Sequence, residues 1–490
     1  MKKIICFFTI FIFFISTAST QELENAEIQA DEVRAEKVSN MQSVAIEKND
    51  AINLKVTAKN TEKTEDLALD KIQEQLAKSG KKLPFPKKEA AKFNAEELFA
   101  RYRNSVVQIQ INNEETGQKT AIGSGFVIAN GDKIATNYHV VSDVLQKKKH
   151  RASYIDQNDE QGNLTLLDFD IVNDLAILQA DKKISAPFEF EEKSVQGESL
   201  FALGNPHDLG FVIIDGINNG LLRKSAQAHI LFSGSLNSGM SGGPTLNNRG
   251  KVIGVNVAYL RAGSNISFVV PVEHLEKLLA SDKKIQQDEV NKRIAEQLSA
   301  DNDKYFKEPL AAKNWQTTKI AKYTVPLAMS KDTKCWDASS NPDAEDLIAV
   351  AEVRCFNDRQ TFINNETSVG QIGYSYAYVY PLEDITTAHF YGVYNKAFKM
   401  GYSARPRRDY DNYKCKEGFT EIAGEAFKTV YCRQPGKFTS NGETIDDHRF
   451  LAASVAHKKE GFVIQIELYG IQTEKGKKVI SKILEQVKRN

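Results

Sequence analysis

Between residues 105 and 271 the chain repeats one pattern, a short run of β-branched and aliphatic residues followed by a break rich in Gly, Asn or Asp. The runs are SVVQIQI (105–111), GSGFVI (123–128), KIAT (133–136), LAIL (175–178), SLFALG (199–204), KVIGVNV (251–257) and ISFVVP (266–271). Such runs are too short for core helices and have the length and composition of strands. Many short strands with turns between them close into a barrel or sandwich of antiparallel sheet, so the chain is expected to be mainly β. Two helices should bracket this unit. Asn94-Ala-Glu-Glu97 has the spacing of a capping box ahead of AEELFARY, and VEHLEKLLA (272–280) follows the last run.

The flanks differ in texture. Lys2 and Lys3 precede a mostly apolar run from Ile4 to Ile15, and Ser16-Thr17-Ala18 follow. That is the layout of a secretory signal peptide, expected over 1–18. The run is shorter than the roughly 20 residues needed to span a bilayer, so membrane contact is expected only if the signal stays uncleaved. Residues 19–93 read as a polar linker or arm, with Leu67, Leu69, Ile72 and Leu76 marking one amphipathic stretch before Pro84 and Pro86. Residues 283–318 are charged and helix-forming, a connector. Residues 319–490 mix aromatic strands such as YSYAYVYPL and FVIQIELYG with a terminal helix, as in a separate α+β domain. Lys+Arg and Asp+Glu both number 64. A chain without a basic surplus is not expected to bind nucleic acid through its overall charge.

Of the five cysteines, Cys6 lies in the leader and the other four in the C-terminal region: Cys335, Cys355, Cys415 and Cys432. An even number in an exported chain reads as two disulfides. Three pairings are open, and the sequence-near one, Cys335–Cys355 with Cys415–Cys432, is favoured. A zinc site is the rival reading, but neither Cys-x-x-Cys spacing nor a nearby His supports it, so no metal is expected.

Three segments carry chemistry. GSGFVIANGDKIATNYHVV delivers His139 through a strand, a turn and a second strand. DFDIVNDLAIL places Asp174 at the mouth of an apolar strand, and GSLNSGMSGGP is a Gly-rich loop holding Ser241. A serine hydroxyl needs a neighbouring imidazole to take its proton. A carboxylate at the other ring nitrogen fixes the tautomer and stabilises the imidazolium. Backbone N–H groups must meet the oxyanion of the tetrahedral intermediate, and the N–H groups of Gly239 and Ser241 are assigned to it. Asp168 and Asp170 lie too early relative to the Leu-Ala strand to be the orienting acid. His207 and His229 read as surface or loop residues.

With these residues in place, the sequence over about 95–282 resembles the trypsin-fold serine proteases, and among them the HtrA/Deg branch. GSGFVI…TNYHVV, DLAIL, GNPHDLGFVIIDGINNGLLR, SGMSGGP…GKVIGVNVA and ISFVVPVEHLEKLL are similar in turn to that branch's histidine, aspartate, pre-loop, nucleophile and closing segments. The resemblance implies a chymotrypsin-like double β-barrel over 94–282, with His139 as general base, Asp174 as its orienter and Ser241 as nucleophile. It also implies protein or peptide substrates and no cofactor. Homo-oligomerisation is left open. A bacterial periplasmic location is expected, with release to the medium as the alternative.

Three departures from the branch stand out. Met240 replaces the Asn that usually precedes the nucleophile, and Ser233-Gly234-Ser235 stands where Asp-Ala-Ala is usual. Leu236 and Ser235 sit where the base and wall of the primary pocket would be. With no acid there, a small or medium aliphatic residue is expected before the cleaved bond. Residues 319–490 lack the pattern of the PDZ domains that commonly follow the protease in this branch. The function expected is therefore an exported serine endopeptidase. A catalytically weak protease-fold protein that binds or chaperones is the alternative.

Overall fold

The computed structural model describes residues 92–490 apart from 207–209, 223–224, 258–266, 282–283, 344–345, 365–366, 401–408 and 456–458. The expected leader and polar arm, and His207, lie outside the described residues.

Twelve strands form two closed six-stranded barrels. The first comprises β1 (Val106–Asn113), β2 (Lys119–Ile128), β3 (Lys133–Thr136), β4 (His150–Ile155), β5 (Gln161–Asp170) and β6 (Leu175–Ala180), in the order β1-β2-β3-β6-β5-β4. The second comprises β7 (Ser199–Gly204), β8 (Val212–Leu221), β9 (Ile230–Phe232), β10 (Pro244–Asn247), β11 (Val252–Val257) and β12 (Ser267–Pro271), in the order β10-β11-β12-β9-β8-β7. All the pairings are antiparallel. This is the chymotrypsin-like architecture expected from the sequence.

Most positions of the runs are buried because both faces of these strands are covered, and even the polar Gln108, Gln110 and Asn256 lie inside. Alternate side chains point to opposite faces. Along β1, Val107, Ile109 and Ile111 enter the first barrel's core, whereas Val106 enters the layer between the barrels. On β6, Ala176, Leu178 and Ala180 face inward while Leu175 and Ile177 face the layer. β7 mirrors this, with Leu200 and Ala202 inside the second barrel and Phe201 and Leu203 in the layer. The period of two therefore packs the outer face of one barrel against that of the other. The helix Ala95–Tyr102 forms with the expected capping box, Asn94 and Glu97 each bonding the other's backbone N–H at 2.9 Å. Its Leu98 packs into the inter-barrel layer, as do Val272, Leu275 and Leu278 of the helix Val272–Ala280.

After the barrels comes a 22-residue helix, Val290–Ala311. Val290, Ile294, Ala295 and Leu298 share the first barrel's core cluster, and Phe306 belongs to the core of the C-terminal region. The helix thus joins the two along one buried stripe.

The C-terminal region continues with β13 (Thr317–Ile320), β14 (Tyr323–Pro326), β15 (Lys334–Asp337), β16 (Ile348–Phe356), β17 (Thr361–Phe362), β18 (Ser368–Val369), β19 (Ile372–Pro381), β20 (Lys414–Ile422), β21 (Glu425–Gln434), β22 (Thr439–Ser440), β23 (Glu443–Ser454), β24 (Gly461–Gln472) and β25 (Lys488–Arg489). One long sheet runs β15-β16-β19-β24-β23-β21-β20, and β22 pairs with β23. The helices Thr387–Met400 and Thr473–Glu485 complete an α+β unit. The disulfides are Cys335–Cys355 and Cys415–Cys432, the favoured pairing. Each joins directly opposed residues and fastens an outermost strand of the long sheet to its neighbour, β15 to β16 and β20 to β21. β20 is exposed along nearly its whole length. With little apolar burial of its own to hold it, it depends on the ladder and on a cross-link of this loop size, worth roughly 2–4 kcal/mol.

Candidate active site

A strand, a turn and a second strand, β2 and β3, lead into His139 as expected, and beyond Asn137 the chain turns helical. The HVV run opens the helix Tyr138–Gln146, and Tyr138, Val140, Val141 and Leu145 pack from it into the first barrel. Burial of these side chains overrides the strand preference of the two valines. The helix starts at Asn137, whose side chain does not cap it. Instead the Asn137 Nδ2 donates to the Asp174 carbonyl at 2.9 Å.

Asp174 is held from several sides. Its φ is +55°, a left-handed conformation uncommon outside glycine. Its carbonyl accepts the Tyr138 N–H at 3.1 Å as well as the Asn137 amide. The carboxylate takes the backbone N–H of His139 on Oδ1 at 2.9 Å, and Oδ2 lies 2.6 Å from His139 Nδ1. In that contact an Nδ1–H donates to the carboxylate, which leaves Nε2 with its lone pair. The loop ahead of Asp174 is clamped too. Gln297, on the long helix, accepts the Ile171 N–H at 2.7 Å and donates to the Phe169 carbonyl at 2.9 Å. Gln227 donates to the Val172 carbonyl at 3.1 Å. The Asp174 side chain is 7% exposed against 21% for His139, so the charge sits on the dry side of the pair and the ring faces the cleft.

The two excluded carboxylates are engaged elsewhere. Asp168 accepts the Ser281 hydroxyl at 2.8 Å, and Asp170 caps the turn at Val172 and Asn173. His229 is buried against Phe268 and is not a surface residue. It stands in the loop that leads into β9, so of the two expectations the loop is met and the surface is not.

The Ser241 loop crosses from the second barrel to the first and is anchored on Ser124 of β2. Ser124 donates its N–H to the Ser241 carbonyl (2.8 Å) and its hydroxyl to the Gly239 carbonyl (2.7 Å). The same hydroxyl oxygen accepts the Asn205 N–H at 2.9 Å. Gly242 has φ +86°, and a Cβ there would collide with Thr136 Oγ1, the Ser124 carbonyl and the Asn137 backbone nitrogen. The nucleophile loop therefore lies directly on the segment that leads into His139, and only glycine permits that approach. Residues 237–240 form a turn closed by the Met240 N–H on the Asn237 carbonyl at 3.0 Å, with Gly239 at φ +94°. A positive φ at the third position makes it a type II turn.

Met240 points away from the cleft. It is fully buried in the second barrel's core with Leu200, Ala202, Ile230, Phe232, Ile253 and Val269. Its departure from the expected Asn is a change of core packing behind the loop. Leu236 is half-buried against the same cluster and donates its N–H to Ser267 Oγ at 2.9 Å, while Ser235 is exposed beside it.

Residues 123–255 match the family model of a trypsin-like peptidase domain. The barrel pair is similar in sequence to proteases of the HtrA/Deg kind. Over 187 residues it is 32% identical to "Protease Do-like 5, chloroplastic" of Arabidopsis thaliana, which covers 33% of this chain and 57% of that protein. Over 174 residues it is 34% identical to "Serine protease HTRA1A" of Danio rerio, covering 33% of this chain and 34% of that one. The chain thus spans between about a third and just over half of these relatives' lengths. Among solved structures it is similar to the serine endoprotease from Yersinia pestis, with 23% identity, a TM-score of 0.34, and coverage of 39% of this chain and 67% of that one.

The trypsin-like domain uses residues that motif reading passed over. Asn137 and Ser124 stand inside the segments TNYHVV and GSGFVI, one between Thr136 and Tyr138 and the other between two glycines. Gln297 and Gln227 lie outside those segments. So does Phe362, whose ring lies 5.8 Å from that of His139.

Proposed function

We propose that this chain is a serine endopeptidase of the HtrA/Deg kind that cleaves protein chains through His139, Asp174 and Ser241. The observation that carries the reading is the 2.6 Å contact of His139 Nδ1 with a nearly buried Asp174, beside a glycine-bearing loop that seats Ser241 against the same segment. Nε2 of His139 removes the Ser241 proton as Oγ attacks the scissile carbonyl. The imidazolium, held by Asp174, then protonates the leaving amine. Water enters, gives its proton to the same nitrogen, and the acyl-enzyme hydrolyses. The N–H groups of Gly239 and Ser241 receive the oxyanion. Ser235 and Leu236 bring no charge to the primary pocket, which favours a small or medium aliphatic residue before the cleaved bond. The leader-like N-terminus and two disulfides support an exported, envelope-located enzyme.

A fluorescently labelled, permanently unfolded protein should be cut to peptides by the wild-type chain in the presence of chelator, and left intact by Ser241→Ala. Equal digestion by both would refute the proposal.

The turn at 237–240 supplies a second test. Types I and II differ by reversal of the central peptide, whose N–H is that of Gly239. In Gly239→Ala a φ of +94° is strained, so the peptide is expected to flip and take the donor away. Loss of one oxyanion donor costs about 10²–10³-fold in kcat. Steady-state kinetics should show that fall with little change in KM. An unchanged kcat would remove Gly239 from the hole.

A further inference from the structure

The hairpin of β17 and β18 belongs to the C-terminal region yet lies on the first barrel beside the candidate triad. Its Phe362 ring is tilted by 50° to the His139 imidazole at a centroid distance of 5.8 Å. We propose that Phe362 is a specificity residue: it forms a fixed apolar wall of the substrate cleft and selects peptides with an apolar side chain at the position that lies over the imidazole. This rests on the endopeptidase reading above.

The hairpin is built in. The Ile363 carbonyl accepts the Tyr138 hydroxyl at 2.8 Å and the Gln146 amide at 2.7 Å, both from the helix that starts beside His139. Burial pushes the pKa of Tyr138 well up, so its hydroxyl remains a donor. Asn364 donates to Gln146 Oε1 at 3.1 Å. Ile363 and Val369 are fully buried in one cluster with Tyr138, Val140, Val141 and Leu145. At the hairpin's base, buried Arg359 pairs with Asp301, donates to Asn302 at 2.9 Å and lies over the Tyr305 ring at 4.9 Å. On the side of the second barrel, Gln227 donates to the Gln360 carbonyl at 3.0 Å and Ser225 to Asp358 at 3.3 Å.

A lid must break its contacts to open at little cost. This hairpin would have to withdraw two buried aliphatic side chains and a buried guanidinium. Phe362 itself is only half-buried, so part of the ring remains available to a ligand. A peptide that brings its carbonyl to Ser241 must lay a neighbouring side chain along the imidazole, and there it meets an apolar surface. The Gln360 and Ile363 carbonyls on either side of Phe362 are already occupied by Gln227, Tyr138 and Gln146, so the ring itself is what the hairpin offers there.

Fluorescent peptides of one length that vary one residue at a time would be titrated into Ser241→Ala, with and without Phe362→Ala or Phe362→Leu. Wild-type labelling by a fluorophosphonate is read in parallel. At one position, peptides with Leu or Phe should lose on the order of tenfold or more in affinity with Phe362→Ala, while Gly at that position changes less than twofold. Phe362→Leu should restore most of the loss. Selectivity that is unchanged in both variants, a uniform loss at every position, or a uniform gain that marks a plug would each overturn the wall. Binding selectivity that depends on Phe362 in a protein whose wild type resists the fluorophosphonate would support the wall and sink the catalytic reading.

Discussion

Ser241→Ala should lower kcat for peptide cleavage on the order of 10⁶-fold, because no other group at the site forms the acyl intermediate and the triad acts as a unit. The fold should be indifferent to the change. The loop is held by main-chain groups, the Ser241 carbonyl on the Ser124 N–H and the Gly239 carbonyl on the Ser124 hydroxyl, and none of these bonds uses the Ser241 hydroxyl. Thermal unfolding should therefore coincide with the wild type while single-turnover cleavage disappears. A variant that retained more than a thousandth of the activity would mean that another nucleophile does the work.

Asp174→Asn is the second large effect, and the geometry says why a near-isosteric change matters. The carboxylate accepts from two donors at once, the His139 N–H on Oδ1 and the ring Nδ1 on Oδ2. Asparagine has one acceptor oxygen. If that oxygen keeps the backbone N–H, the amide NH₂ faces Nδ1. The ring must then carry its proton on Nε2, where it cannot take the serine proton. If the amide is reversed, its NH₂ opposes the backbone N–H and an essential bond is lost. Either way kcat should fall roughly 10⁴-fold with the cleft otherwise intact. The check is kcat against KM for one peptide, with KM changing far less. A loss below tenfold would show that Asp174 does not orient His139.

Much of this was legible in the sequence, and the rest was not for identifiable reasons. The first strands of each barrel announce themselves because both of their faces are buried, so they are dense in β-branched and aliphatic residues. β8 is the opposite case: Asp215, Asn218 and Asn219 interrupt it, and only Asn218 is buried. β9 and β10 are three and four residues long and are held by the barrel's closure more than by their own composition. His139, Asp174 and Ser241 stood out because each lies in a local context that nucleophilic catalysis requires. The helix carrying His139 did not, since its valines favour strands and its start depends on bonds to Asp174. The disulfide pairing followed from sequence proximity. The long sheet's order did not, because β19 pairs with β16 and β24 across long connections. Phe362 lies more than two hundred residues from His139, and only that topology brings the rings together.

The proposed chemistry stands or falls with Ser241 as an assembled nucleophile. Its most direct test is reaction of the purified protein with a fluorophosphonate, followed by intact mass and peptide mapping. A single adduct on Ser241 is expected in the wild type and none in Ser241→Ala. A folded wild-type protein that stays unlabelled, or an adduct mapped to another residue, would contradict it.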